Sequence, residues 1–252
     1  MKTAKVLAFY FGDRRHYPHN KDGVTDLFYR QIESHEKIDP GTPMDLIIVN
    51  HDSGDESVRE LLNRYEGYTI KNGIVKIIHR PRINYDLSMG SYKYAFFLLQ
   101  DQYDYWFFCE DDIEELKNDT VKKMIDLYES DKNIGFVAAC DYVNYDIHRY
   151  KIKDGYIDGD DISPAHAHGG IGLTSTSRMK YIAEKFPYYL NTPNIEAVKN
   201  SLTGENVLFD KSYIDENFHE IDFTNVFVKA GYKLKSFSDG TNFLHIRENM
   251  IL

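Results

Sequence analysis

The chain has 252 residues, of which 42% are hydrophobic and 14% aromatic, so it can bury one substantial core. We expect a single domain over residues 1–252. Asp and Glu total 40 and Lys and Arg total 30, a formal charge of -10. This balance argues against nucleic acid binding, which depends on clustered basic residues. Cys109 and Cys140 both fall inside apolar runs, which indicates no disulfide framework and favours a reducing, cytoplasmic setting.

The apolar runs are all shorter than a membrane-spanning helix. The first, from Val6 to Phe11, also lacks a small-residue cleavage site after it. The longest others lie at 95–99 and 105–109. We therefore expect no transmembrane segment, and any contact with a membrane is expected to be peripheral.

Short apolar runs alternate with stretches of helical period along the first half of the chain. The predicted elements are strand 5–11, helix 24–36, strand 46–50, helix 57–65, strand 74–78, helix 88–99 and strand 105–109. This strand-then-helix order predicts an α/β fold with a mostly parallel central sheet sandwiched by helices.

The second half of the chain is less regular. We predict a helix over 119–130 with Asp119 or Thr120 as its cap, a strand over 134–139, and helices over 177–186 and 220–230. Gly231 is expected to end the last helix. Residues 142–164 show no clear period and predict loops or a small hairpin.

Polar residues follow several predicted strands, at the sheet edge where α/β proteins bind ligands. The clearest set is Glu110-Asp111-Asp112, directly after an apolar strand. Because alternate side chains of a strand point to one side, Glu110 and Asp112 are expected to converge. Such oxygen ligands suit Mg²⁺ or Mn²⁺ completed by substrate phosphates. The alternative is a solvated acidic loop that caps the next helix.

Residues 46–55 end in Asn50-His51-Asp52-Ser-Gly-Asp and resemble the nucleoside-contacting strand and turn of inverting GT-A glycosyltransferases of family two. The usual form there is Val-Asp-Asp/Asn-Gly-Ser-x-Asp. The resemblance therefore implies that Asn50, His51 or Asp52 meets the donor base. Residues 84–95, with Gly90 inside, are similar to the Asn-x-Gly-x-x-x-Ala segment of that family.

The acidic triplet is similar to the Asp-x-Asp metal motif of the same family. The resemblance implies that Glu110 contacts the donor ribose or the metal and that Asp112 binds the metal. His245, within Asn-Phe-Leu-His, resembles a late histidine that serves as a further metal ligand. Asp111, and Phe11 at the end of the first predicted strand, are assigned to the donor site as well.

Residues 218–223, Phe-His-Glu-Ile-Asp-Phe, precede Ala-Gly-Tyr-Lys and resemble a late pattern of these enzymes. The resemblance implies that a carboxylate here takes the proton from the acceptor hydroxyl. Glu220 and Asp222 both qualify, and the distance to Gly231 favours Glu220.

Two weaker groups complete the candidate site. Arg80 and Arg82 follow the third predicted strand and are candidates for the donor diphosphate, the alternative being surface arginines paired with carboxylates. His166 and His168 have the spacing of a metal site but lack a nearby third ligand. The resemblance implies instead that Gly169 and Gly170 form a loop that approaches the donor sugar and the acceptor.

The order of these segments predicts a GT-A type fold and a metal-dependent glycosyltransferase. It would move a sugar from a nucleotide-diphosphate sugar to a glycan or other hydroxyl acceptor, with inversion. The competing hypothesis is a non-catalytic carbohydrate- or nucleotide-sugar-binding protein on the same fold. A nucleotidyltransferase and a dinucleotide-binding oxidoreductase are disfavoured, because no Gly-rich phosphate loop follows the first strand.

Overall fold

The computed structural model describes residues 1–11, 21–51, 54–80, 87–139, 150–159, 165–186, 198–199, 206–207, 216–237, 242–246 and 250–251. At 21–23, 87, 150–151, 198–199, 206–207, 216–221, 245 and 250–251 the backbone alone is described. The helices in these residues are α1 (Lys21–Lys37), α2 (Glu56–Asn63), α3 (Leu87–Leu99), α4 (Thr120–Glu129), α5 (Thr176–Lys185) and α6 (Glu216–Lys229).

The strands run in chain order as follows. They are β1 (Thr3–Phe9), β2 (Met44–His51), β3 (Thr69–Ile70), β4 (Gly73–Arg80), β5 (Tyr105–Glu110), β6 (Ile113–Glu115), β7 (Ile134–Ala138), β8 (Tyr150–Lys153), β9 (Tyr156–Gly159), β10 (Gly172–Ser175), β11 (Val198–Lys199), β12 (Asn206–Val207), β13 (Lys233–Ser236), β14 (Phe243–His245) and β15 (Met250–Ile251).

Ten of these strands form one central sheet in the order β3-β4-β2-β1-β5-β10-β7-β13-β9-β8. Neighbouring β4, β2, β1 and β5 are all parallel, and β13 is parallel to β7. Strand β10 runs antiparallel between β5 and β7. The predicted α/β class with a mostly parallel central sheet is therefore confirmed.

Helices bury the sheet on both faces. Alternate residues of β5 illustrate this, since Phe107 and Cys109 belong to one hydrophobic core and Trp106 and Phe108 to the other. The first core contains buried side chains of α1, α2 and α4, and the second contains those of α3, α5 and α6. The central strands are apolar on both faces because neither face meets water.

A second, three-stranded sheet with the order β15-β14-β6 lies beside the end of β5. Strand β6 follows β5 after a two-residue turn and pairs antiparallel with β14, with Phe243 opposite Glu115 and His245 opposite Ile113. This small sheet brings a late part of the chain next to the acidic triplet.

The predicted elements all occur, with bounds shifted by a few residues. The hairpin of β8 and β9 confirms the small hairpin expected in 142–164. Asp119 is the N-cap residue of α4, as expected, but it has φ 62° and its side chain makes no capping hydrogen bond. The Thr120 hydroxyl instead donates to the Lys117 carbonyl at 2.8 Å. No helix in the described part of the chain is long and apolar enough to cross a membrane.

Helix α1 buries a histidine that makes the stability of the fold sensitive to acid. His35 Nδ1 donates to the Gln31 carbonyl at 2.6 Å. Burial, and secondly the nearby Lys5 charge, lower the pKa of His35 well below its ordinary value. The unfolded chain therefore binds more protons than the folded chain as the pH falls below about 6.5.

We expect this one group to lower the free energy of unfolding by up to about 1.4 kcal/mol per pH unit below about pH 6.5. His35→Gln removes the titration, so the variant should lose less stability between about pH 7.5 and about pH 5.5 than the wild type does. Urea unfolding at both pH values measures the difference. Identical pH dependence in the two proteins would contradict this assignment.

Candidate functional site

The carboxyl ends of four parallel strands meet at one edge of the central sheet. In register, Ala8 lies opposite Glu110, and His51 lies opposite Arg80. The rings of Tyr10 and His51 are 5.5 Å apart. The sheet thus brings the ends of β1, β2, β4 and β5 together, as expected for a ligand-binding edge.

The candidate donor residues of β2 and β4 lie on opposite sides of the sheet. Asn50 faces the α2 side, where its Nδ2 donates to His79 Nδ1 at 3.2 Å and His79 Nε2 donates to Asn63 Oδ1 at 2.8 Å. Its Oδ1 is buried and has no hydrogen-bond partner among the described residues. Strand alternation places His51 and Arg80 on the α3 side, and the Arg80 guanidinium lies 5.8 Å from the Tyr94 ring.

Glu110 is the last residue of β5, and its carboxylate accepts a hydrogen bond from α3. Ser88 Oγ, in the first turn of α3, donates to Glu110 Oε1 at 3.0 Å. Asp111 and Asp112 form the turn between β5 and β6 and are 4% and 5% exposed. The premise that strand alternation aligns Glu110 with Asp112 is therefore wrong, because the strand ends at Glu110. Asp111 and Asp112 are buried and Glu110 is half-buried, so the triplet is not a solvated loop.

The buried phenol of Tyr92, on α3, lies near the negative charges of this turn. Its hydroxyl has no hydrogen-bond partner among the described side chains and backbone. Burial raises the pKa of Tyr92 well above its ordinary value, and the charges of Glu110, Asp112 and Asp111 raise it further. The three carboxylates therefore lie near one buried hydroxyl, and their charges act on it together.

The residues of this turn suit a hard cation. Mg²⁺ is usually held by one or two carboxylates together with substrate phosphates and water, and Glu110 and Asp112 can supply those carboxylates. The described side chains include no group of three His, Cys, Asp or Glu that could hold a metal ion. The backbone of His245 pairs with Ile113, and Ile246 N donates to the Asp112 carbonyl at 2.7 Å. The side chain of His245 lies outside the described atoms.

A glycine turn lies near the Glu110 carboxylate. His168–Gly170 forms a 3-10 turn in which Gly169 and Gly170 have φ of 59° and 61°. A Cβ on Gly170 would lie 2.7 Å from Met89 Sδ and 2.8 Å from Phe223 Cδ1, and one on Gly169 would lie 3.4 Å from Glu110 Oε2. Only residues without a side chain fit here, because the turn is inserted between α3 and α6.

Helix α6 is attached to this turn by two buried hydrogen bonds. Thr224 Oγ1 accepts from Ala167 N at 2.8 Å, and Asn225 Nδ2 donates to the Ala165 carbonyl at 2.9 Å. Asp222, two residues before Thr224 on this helix, is 8% exposed. Position 220 is four residues before Thr224 on the same stripe of the helix, and the side chain of Glu220 is outside the described atoms.

The remaining candidates divide between the core and the undescribed residues. Phe11 is buried and packs against Phe9 and Phe28, with ring centroids 5.7 and 6.5 Å away. Gly90 is buried in the first turns of α3. Asp52 and Arg82 lie outside the described residues. The roles assigned to these four residues stay predictions.

The sequence interpretation missed several residues that build the site: Ser88, Tyr92, Thr224 and Asn225. Ser88 and Tyr92 are four residues apart and therefore share a face of α3, a spacing that could have indicated them. No local signal indicates Thr224 and Asn225, because their partners at 165–167 are distant in the sequence.

The fold of this chain is similar to that of solved structures. No protein-family model and no curated protein matches the chain. The crystal structure of S. aureus TarS superposes with a TM-score of 0.51 at 14% identity, covering 96% of this chain and 36% of TarS. A crystal structure of S. aureus TarS 1-349 gives a TM-score of 0.48 at 11% identity, covering 96% and 60%.

The chain thus spans less than two thirds of either TarS structure. The likeness shows that the chain shares the fold of the matching part of TarS.

The glycine turn gives a test of the site's packing. We expect Gly170→Ala to lower the free energy of unfolding by about 2–4 kcal/mol, because left-handed backbone strain and overpacking add. Gly67→Ala is the matched control, since Gly67 has φ 76° and nothing within 4 Å of an added Cβ. It should lose only about 1 kcal/mol. Chemical denaturation compares the two variants. Equal losses of unfolding free energy would contradict the insertion of the glycine turn between α3 and α6.

Proposed function

We propose that this chain is a metal-dependent glycosyltransferase that moves a sugar from a nucleotide-diphosphate sugar to a hydroxyl acceptor with inversion. One observation carries the proposal. Glu110, at the end of β5, accepts a hydrogen bond from Ser88 of α3 near the Gly169 turn, and Asp111 and Asp112 follow it in a nearly buried turn. An acidic turn under a glycine turn, at the carboxyl edge of this fold, suits a diphosphate and its cation.

The neighbouring strand ends supply the proposed donor contacts. The buried Asn50 amide oxygen is oriented by the hydrogen bond from Asn50 Nδ2 to His79 and can accept from a donor base. His51 and Arg80 lie on the α3 side, where Arg80 suits a phosphate oxygen. Mn²⁺ or Mg²⁺ held by Glu110 and Asp112, with His245 as a further ligand, would neutralise diphosphate charge.

The proposed chemistry is a single displacement. A carboxylate of α6, Glu220 or Asp222, takes the proton of the acceptor hydroxyl. The acceptor oxygen bonds to the anomeric carbon as the bond from that carbon to the diphosphate oxygen breaks. The nucleoside diphosphate leaves with the bonding electrons, and attack from the opposite face inverts the configuration. Position 220 shares a stripe with Thr224, which contacts the glycine turn, and this favours Glu220.

The donor nucleotide can be identified by calorimetric titration with UDP, GDP, dTDP and CMP, each with and without Mn²⁺. We expect one diphosphate to bind only with the metal present, because the acidic turn repels phosphate by itself. Asp112→Asn should weaken that binding at least about tenfold, or about 1.4 kcal/mol. No binding to any member of the panel would favour the non-catalytic alternative.

The control for Asp112→Asn is Asp126→Asn. Asp126 is an exposed carboxylate of α4 that pairs with Lys122 at 2.6 Å, away from the carboxyl edge. It carries the same change of charge, so a general electrostatic effect would appear in both variants. Equal loss of metal-dependent binding in the two proteins would contradict the role of Asp112.

The base can be identified by comparing Glu220→Gln with Asp222→Asn. We expect Glu220→Gln to lower kcat by about 10²–10⁴-fold while nucleotide binding is retained, since a general base acts on the acceptor and not on the donor. Asp222→Asn should have the smaller effect on kcat. An NMR spectrum of fresh product should show the inverted anomeric configuration, and a retained configuration would contradict direct displacement.

A further inference from the structure

The strongest unexplained feature outside the carboxyl edge is a buried ion pair under the acidic turn. Lys5 lies on the central strand β1 and is fully buried, and its Nζ contacts Glu115 Oε1 on β6 at 2.6 Å. The ammonium also lies 5.2 Å from the centre of the Phe107 ring. Strand alternation places Lys5 on the same face as Leu7 and Phe9, which are core residues.

This pair is not what a sheet core needs for stability. Burying two charges carries a desolvation penalty that an ion pair often fails to recover, and apolar residues of similar volume are commonly as stable or more so. Moreover, Glu115 Oε2 is buried without a hydrogen-bond partner among the described residues. The pair does, however, join the central sheet to β6, directly after Asp111 and Asp112.

A second buried side chain holds the same turn from α1. Gln31 Nε2 donates to the carbonyls of Asp111 and Ile113, both at 2.9 Å. The carbonyl between them, of Asp112, accepts from Ile246 N. Three consecutive carbonyls after β5 are therefore fixed by α1 and by the residue after β14, while Lys5 fixes Glu115 two residues further on.

We propose that Lys5, Glu115 and Gln31 are positioning residues that hold the turn after β5 in the geometry required for donor binding. They contact no donor themselves and act through the backbone of residues 111–115. The expected effect on donor binding rests on the proposed function. Whether these residues hold the turn can be measured separately.

The experiment compares the wild type with the double variant Lys5→Met/Glu115→Met, which replaces the pair by apolar side chains of similar volume. We expect its Tm to stay within about 4 °C of the wild type. The amides of residues 110–114 should exchange with deuterium at least about tenfold faster, because the turn loses one of its attachments. Mn²⁺-dependent binding of the nucleoside diphosphate should weaken at least about tenfold.

Tyr103→Phe is the control. It removes a buried hydrogen bond to Asp45, 2.7 Å long, at the amino-terminal edge of the sheet, so it should change neither the exchange at 110–114 nor binding. Gln31→Met tests the second attachment alone and serves if the double variant does not fold. It should accelerate exchange at the same amides.

The outcomes separate the two proposals. Unchanged exchange at 110–114 in folded variants overturns the inference whatever the protein binds. Faster exchange with undiminished nucleotide affinity also overturns it, because the turn geometry would then be irrelevant to binding. If the variants exchange faster but the wild type binds no nucleotide, the result supports the inference that these residues hold the turn. It then refutes only the proposed function.

Discussion

The burial of β5 on both faces is the constraint from which the rest of the site follows. Trp106 and Phe108 fill one core, Phe107 and Cys109 fill the other, and burial raises the pKa of the Cys109 thiol to about 12. No charge can be placed along such a strand without a partner. The first position where carboxylates can collect is its end, at Glu110, and α3, the glycine turn and β6 all meet there.

The sequence predicted the layers of the fold well because their signals are local. Apolar runs followed by helical periodicity identify β1, β2, β4, β5 and the helices between them, and parallel strands then require their carboxyl ends to share an edge. The candidate residues Asn50, Arg80 and Glu110 were found in this way. Each of these residues can be identified from its place after a strand, without knowledge of what it contacts.

The sequence could not predict what depends on distant segments. Strand β10 lies antiparallel between β5 and β7, with Gly172 opposite Phe108. Nothing in the four residues of β10 specifies these two partner strands. The position of Asp112 relative to Glu110 depends on distant segments as well, because β5 ends at Glu110 and Asp112 lies in the turn that follows. The turn after β5 is shaped by Gln31 of α1, which lies 80 residues before Asp111 in the sequence. It is also shaped by the backbone of Ile246, which lies well over a hundred residues after Asp112.

The sheet order also bears on the charge that the proposed diphosphate would meet at the end of β5. Strands β4 and β5 are separated by β2 and β1, which is three strand spacings or about 14 Å. The ends of β4 and β5 are therefore well apart across the sheet, and the Arg80 guanidinium lies 5.8 Å from the centre of the Tyr94 ring on α3. A diphosphate that reaches the acidic turn would meet three carboxylates in a poorly solvated site, where repulsion is strongest. A cation bound at the turn, as proposed, would make that approach favourable.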